Sequence, residues 1–136
     1  MLEIEKWFNK EAFLIVDDEP DMCWALERIL KKNGFQCLTA CNAQEALALV
    51  RERPFPLIFL DAKLPDMEGL ELAQAIRKSL PSLKIVVVSG YFYGDDPGIQ
   101  EAFRKGLISG FISKPFDNTE IVRTVWKVLG TSWDVS

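Results

Sequence analysis

The chain has 136 residues, 49% of them hydrophobic and 26% charged, a balance that fits one packed globular domain and lies far from disordered or fibrous chains. A net charge of -4 argues against a surface built to hold nucleic-acid phosphates, so no direct nucleic-acid contact is expected. The absence of histidine removes imidazole acid-base catalysis, histidine metal ligands and any phosphohistidine of the chain's own.

Residues 1–11 mix charges with Trp7 and Phe8 and lack the basic start and apolar run of a signal peptide. No stretch is long enough to span a membrane. A cytoplasmic domain over 12–130 is expected, with 1–11 as an N-terminal extension and 131–136 as a C-terminal tail.

From Ala12 onward, short apolar runs alternate with amphipathic stretches, the pattern of an α/β fold around a parallel sheet. The strands are predicted at Phe13–Val16, Phe35–Ala40, Leu57–Leu60, Lys84–Ser89 and Gly110–Ser113. Between them, apolar positions recur every three or four residues. Met22, Leu26, Ile29 and Leu30 mark a first helix, and Ala43, Ala46, Leu47 and Val50 a second. Leu72, Ile76 and Leu80 mark a third, Ile99, Ala102 and Phe103 a fourth, and Ile121, Val125, Val128 and Leu129 a fifth. Pro20 suits a first helical turn and Gly34 a helix end, while Asn42 with Glu45 and Asp117 with Glu120 have capping-box spacing. Cys23, Cys37 and Cys41, beside or within apolar segments, read as buried free thiols.

Chemistry gathers at the C-terminal ends of the strands, where open parallel sheets place their ligands. Asp17 and Asp18 end the first strand, Asp61 the third, Ser89 the fourth, and Lys114 the fifth. Clustered carboxylates repel unless a cation offsets them. Oxygen ligands without imidazole or thiolate select a hard ion, and Mg²⁺ held by few carboxylates, water and phosphate fits best. Lys114 adds a positive charge and Ser89 a hydroxyl, so together these residues form a phosphoryl-binding arrangement. Taken singly, Asp17 and Asp18 read as helix caps and Ser89 as a turn residue. Their joint occurrence with Asp61 and Lys114 goes beyond capping.

The segments LIVDDEP, LIFLDAKLPDMEGLEL, IVVVSGY and GFISKPF, in this order, resemble the response-regulator receiver family over about Ala12 to Leu129. The resemblance implies a flavodoxin-like three-layer fold with sheet order 2-1-3-4-5 and five helices. It implies Asp61 as phosphoacceptor, Mg²⁺ bound by Asp18 and Asp61 directly, by Asp17 through water and by the Lys63 carbonyl, and a switch pairing Ser89 with Phe111. A sensor histidine kinase or histidine phosphotransfer protein would supply the phosphoryl group. The surface of the fourth helix, fifth strand and fifth helix would then change its affinity for a downstream effector or for a second copy in a homodimer. Such a domain assists its own phosphorylation and dephosphorylation without being a conventional enzyme. Lys114-Pro115 matches the family's cis peptide. Lys63 and Tyr91 match positions flanking the phosphoryl group, so slow self-dephosphorylation is expected.

The segment GYFYGDDPG after Ser89 is longer than the usual receiver pattern and leaves the start of the fourth helix open. Tyr91, Phe92 and Tyr93 read either as a partner-binding patch or as packed cover. Cys37 and Cys41 carry a redox reading as the lesser alternative to burial. Two rival functions stand beside the phosphoacceptor. A pseudo-receiver would bind partners without phosphorylation, although every acidic position is filled here. A phosphatase of the haloacid dehalogenase type needs Asp-x-Asp after its first strand, which Asp17-Asp18-Glu19 does not supply.

Overall fold

The computed structural model describes residues 12–92 and 94–130. The predicted terminal extensions and Tyr93 lie outside the described residues. Five strands, β1 (Phe13–Val16), β2 (Cys37–Ala40), β3 (Leu57–Asp61), β4 (Lys84–Ser89) and β5 (Gly110–Ser113), form one parallel sheet in the order β2-β1-β3-β4-β5. Five helices alternate with them: α1 (Pro20–Lys32), α2 (Ala43–Glu52), α3 (Gly69–Ser79), α4 (Pro97–Arg104) and α5 (Asn118–Leu129). This is the flavodoxin-like arrangement that the family resemblance implied.

The continuous apolar runs follow from burial on both faces. Successive side chains of a strand point to opposite sides, so each strand feeds two cores. Phe13, Ile15, Phe59, Val86, Val88 and Ile112 pack with Leu26 and Leu30 of α1 and Ile121 and Val125 of α5. Leu14, Val16, Ile58, Leu60, Ile85 and Val87 pack on the other side with α2, α3 and α4. Phe13 is fully buried and stacks on Phe35 at 4.8 Å between centroids, and Phe35 in turn meets Trp126 at 6.0 Å. Each such fully buried side chain contributes about 1.5–3 kcal/mol of transfer free energy.

Local punctuation holds the helices in phase with the sheet. Pro20 opens α1, and Gly34, at φ +89°, follows its end. Asp117 and Glu120 form a complete capping box on α5. On α2 the Asn42 side chain accepts from the Glu45 N–H, whereas Glu45 accepts from Cys41 rather than from the cap itself. α4 begins at Pro97, capped by the Asp96 carboxylate, which accepts from the Gly98 and Ile99 amides.

Some expectations shift. β2 begins at Cys37, because Phe35 still donates its N–H to the Leu30 carbonyl of α1 and closes that helix end. Phe103 is 42% exposed despite its place in the α4 stripe. The three cysteines are free, but Cys41 is exposed and Cys23 and Cys37 are half-buried, since Cys41 follows the last paired residue of edge strand β2. Burial first, and then the charge of Glu27, pushes the Cys37 thiol up to about 12, a direction that disfavours its thiolate.

Candidate functional site

Parallel pairing aligns Val16 with Leu60 and Asp61 with Val88, so the C-terminal ends of β1, β3 and β4 lie side by side. The residues just past those ends meet at one edge. Asp17 is 4% exposed and Asp61 5% exposed, and the Lys114 ammonium lies 3.1 Å from Asp17 Oδ2 and 3.7 Å from Asp61 Oδ1. Glu19, which the sequence reading passed over, also reaches Lys114, at 3.4 Å. Oxygens of Asp17, Glu19 and Asp61 lie within 4.8 Å of one another. Asp18 is exposed and lines the cleft beside this group without joining it. Three consecutive acidic residues after β1 were the signal for Glu19.

The electrostatics are those of crowded carboxylates under one cation. Burial above all, reinforced by the negative charge of Asp17, pushes Asp61 up to about 6, with Lys114 and the Lys63 N–H pulling the other way. Burial works against the Lys114 charge, but Asp17 and Asp61 outweigh it and its pKa is raised. A donor set of close carboxylate oxygens, with neither imidazole nor thiolate among them, fits a hard divalent cation.

The loop after β3 is pinned from two sides. Gly69 lies so close to β3 that a Cβ there would stand 2.2 Å from the Asp61 carbonyl oxygen and 2.8 Å from Ala62 Cα, so only glycine lets α3 start against the acidic site. Asp66 caps the neighbouring helix, its carboxylate accepting from the Ala43 and Gln44 amides of α2 at 2.9 and 3.1 Å. Those two donors hold the Asp66 pKa below its ordinary value. The Lys63 N–H donates to Asp61 Oδ1 at 3.4 Å.

Ser89 is fully buried, and its Oγ accepts from the Tyr91 and Phe92 amides at 2.9 and 3.1 Å. Those bonds use acceptor sites of the hydroxyl and leave its proton to be donated. Phe111, on β5, is half-buried and packs against the α2, α3 and α4 side of the core. Tyr91 is 70% exposed at the cleft, whereas Phe92 is half-buried and packs against the core as cover. The Lys114-Pro115 peptide is cis.

The cleft formed by Asp18, Asp61, Lys63, Tyr91 and Lys114 encloses about 560 Å³. Another cavity, of about 360 Å³, lies among Val50, Phe55, Leu80 and Leu83 near the opposite ends of β3 and β4 and is lined by no ionisable side chain. Of these two, only the former gathers ionisable side chains.

The model of the response regulator receiver domain matches residues 13–126. The chain belongs to this family. As a receiver domain of two-component signalling, it is 35% identical over 120 residues to sporulation initiation phosphotransferase F of Bacillus subtilis (strain 168), a match covering 88% of this chain and 94% of that protein. It is 37% identical over 120 residues to the nitrogen assimilation regulatory protein NtrX of Azorhizobium caulinodans, covering 87% of this chain but only 26% of the relative. The receiver domain of NtrX from Brucella abortus superposes with a TM-score of 0.78 at 34% identity, covering 86% of this chain and 97% of that one. A response regulator of Thermotoga maritima, solved in complex with Mg²⁺ and BeF, gives 0.77 at 29% identity, covering 88% and 99%. The receiver domain thus spans nearly all of one relative and about a quarter of another. Among the described residues no helix is long and apolar enough to cross a membrane.

Proposed function

We propose that the receiver unit of residues 12–130 takes a phosphoryl group from a histidine kinase or histidine phosphotransfer protein onto Asp61. The observation that carries this reading is the Asp61 carboxylate at the cleft, with Asp17 and the Lys114 ammonium against it. An Asp61 oxygen bonds to phosphorus as the phosphorus–nitrogen bond of the donor breaks, and the donor imidazole leaves with the electron pair. Lys114 stabilises charge on the phosphoryl oxygens. Mg²⁺ would be held in the cleft by Asp17, Asp18 and Asp61 and by the Lys63 carbonyl, and would supply the positive charge that lets the carboxylates and the phosphoryl group share it. Glu19 belongs to the same acidic group and adds to its charge.

Ser89 carries the response outward. Its hydroxyl proton turns to a phosphoryl oxygen, Phe111 moves into the space vacated, and the surface of α4, β5 and α5 changes its affinity for an effector or a second copy. The domain is a regulatory phosphoacceptor acting in the cytoplasm and assists only its own phosphorylation and dephosphorylation. Incubating wild type and Asp61→Asn with a small-molecule phosphodonor and Mg²⁺ and weighing the intact proteins tests the assignment. The wild type gains one phosphoryl mass and the variant none; equal labelling of both refutes it.

A further inference from the structure

The rim of the cleft carries a cation whose side chain the transfer step does not use. Residues 62–69 fold back on themselves: Gly69 N–H donates to the Ala62 carbonyl at 2.8 Å, Leu64 N–H to the Met67 carbonyl at 3.2 Å, and Lys63 faces Glu68 in an antiparallel bridge. Opposed residues of such a bridge send their side chains to the same face. Lys63 Nζ accordingly lies 3.4 Å from Glu68 Oε1. The same ammonium stands 5.7 Å from the ring centroid of Tyr91, on the β4–α4 side of the cleft. Lys63 and Tyr91 both line the cleft with Asp61, and Glu68 stands outside that lining. A carboxylate on one side and an aromatic face on the other restrict a side chain that otherwise samples many rotamers.

We propose that Glu68 is a positioning residue for dephosphorylation: by holding the Lys63 ammonium against the Tyr91 ring, it keeps a cover over Asp61 that slows attack by water. This rests on the reading of Asp61 as phosphoacceptor. In hydrolysis a water oxygen bonds to phosphorus while the bond from phosphorus to the Asp61 oxygen breaks. The carboxylate leaves with the electron pair, and a water proton passes to solvent or to the phosphate released. In-line attack brings the water from the side opposite Asp61, which is the mouth that Lys63 and Tyr91 flank. Glu68 acts through Lys63 alone. An ion pair this exposed shifts a side-chain population by about two- to five-fold, and the hydrolysis rate follows.

The test phosphorylates wild type, Glu68→Gln, Lys63→Ala, Tyr91→Ala and the Lys63→Ala/Glu68→Gln pair with acetyl phosphate and Mg²⁺, removes the donor and follows the decay by intact mass. Glu68→Gln shortens the half-life about two- to five-fold, Lys63→Ala and Tyr91→Ala shorten it at least as much, and Glu68→Gln adds nothing once Lys63 is Ala. In the unphosphorylated protein, the Lys63 Hε resonances lie upfield under the Tyr91 ring and move toward ordinary lysine positions in Glu68→Gln. An unchanged or longer half-life in Glu68→Gln overturns the proposal, as does an equal shortening in the Lys63→Ala background. Failure of wild type to label at Asp61 overturns the phosphoacceptor reading and this proposal with it. Unmoved Lys63 resonances, with labelling intact, overturn the positioning role alone.

Discussion

Replacing Asp61 by Asn stabilises the metal-free protein at neutral and alkaline pH. In the folded chain Asp61 holds its proton up to about 6, against an ordinary value of 3.8, because burial and then the Asp17 charge penalise the carboxylate. Between these values the folded state binds more protons than the unfolded chain. The stability that Asp61 contributes is therefore present at low pH and is lost as pH rises through about 6. A gap of about two units corresponds to about 3 kcal/mol. Water in the open cleft screens the charges, which brings the expected effect to about 1–2 kcal/mol. Asn keeps the shape without the charge, and Lys114 retains Asp17 and Glu19 as partners. Urea unfolding of both proteins in EDTA from pH 4 to 8 measures this. Asp61→Asn is the more stable by about 1–2 kcal/mol at pH 8, and the difference closes toward pH 4. Saturating Mg²⁺ narrows the gap by stabilising the wild type more than the variant. A variant less stable than wild type at pH 8 without metal, or a difference constant across the range, refutes the account of the site as under-neutralised carboxylates.

Gly69→Ala pushes a methyl group into the Asp61 carbonyl oxygen and Ala62, and lowers stability by about 2–4 kcal/mol in a urea melt, with loss of phosphorylation at Asp61 in the folded fraction. Arg77 donates to the carbonyls of Pro81, Leu83 and Leu107, tying the end of α3 to the loops before β4 and β5. Arg77→Met leaves those carbonyls without their charged donor and costs about 2–3 kcal/mol by the same measurement. Thiol labelling at pH 8 with mass readout reaches exposed Cys41 first. Cys37, pushed up to about 12, and Cys23, pushed up to about 11 by burial and then by Asp17, react at least about tenfold more slowly.

Much of this receiver domain is legible in its sequence. The apolar runs at Phe13–Val16 and Lys84–Ser89 coincide with observed strands, because burial on both sheet faces demands a hydrophobic run, and Gly110–Ser113 coincides with edge strand β5, whose burial alternates. Pro20, Gly34 and the Asp117–Glu120 box act within a single helical turn and so are visible in a few consecutive letters. That polar residues at strand ends share one edge also follows from parallel pairing, and Asp17, Asp61, Ser89 and Lys114 stand there.

Other features depend on distances between segments far apart in the chain. Glu19 rather than Asp18 shares the close carboxylate group because Lys114, 95 residues on, lies within reach of Glu19. Asp66 caps α2 across 23 residues of sequence, Gly69 is required by the approach of α3 to the end of β3, and Arg77 bridges to Leu107 over 30 residues. Periodicity and caps are short-range physics, written wherever the neighbouring residues are known. Which charges neutralise one another is decided only once the sheet order brings the strand ends and their loops together.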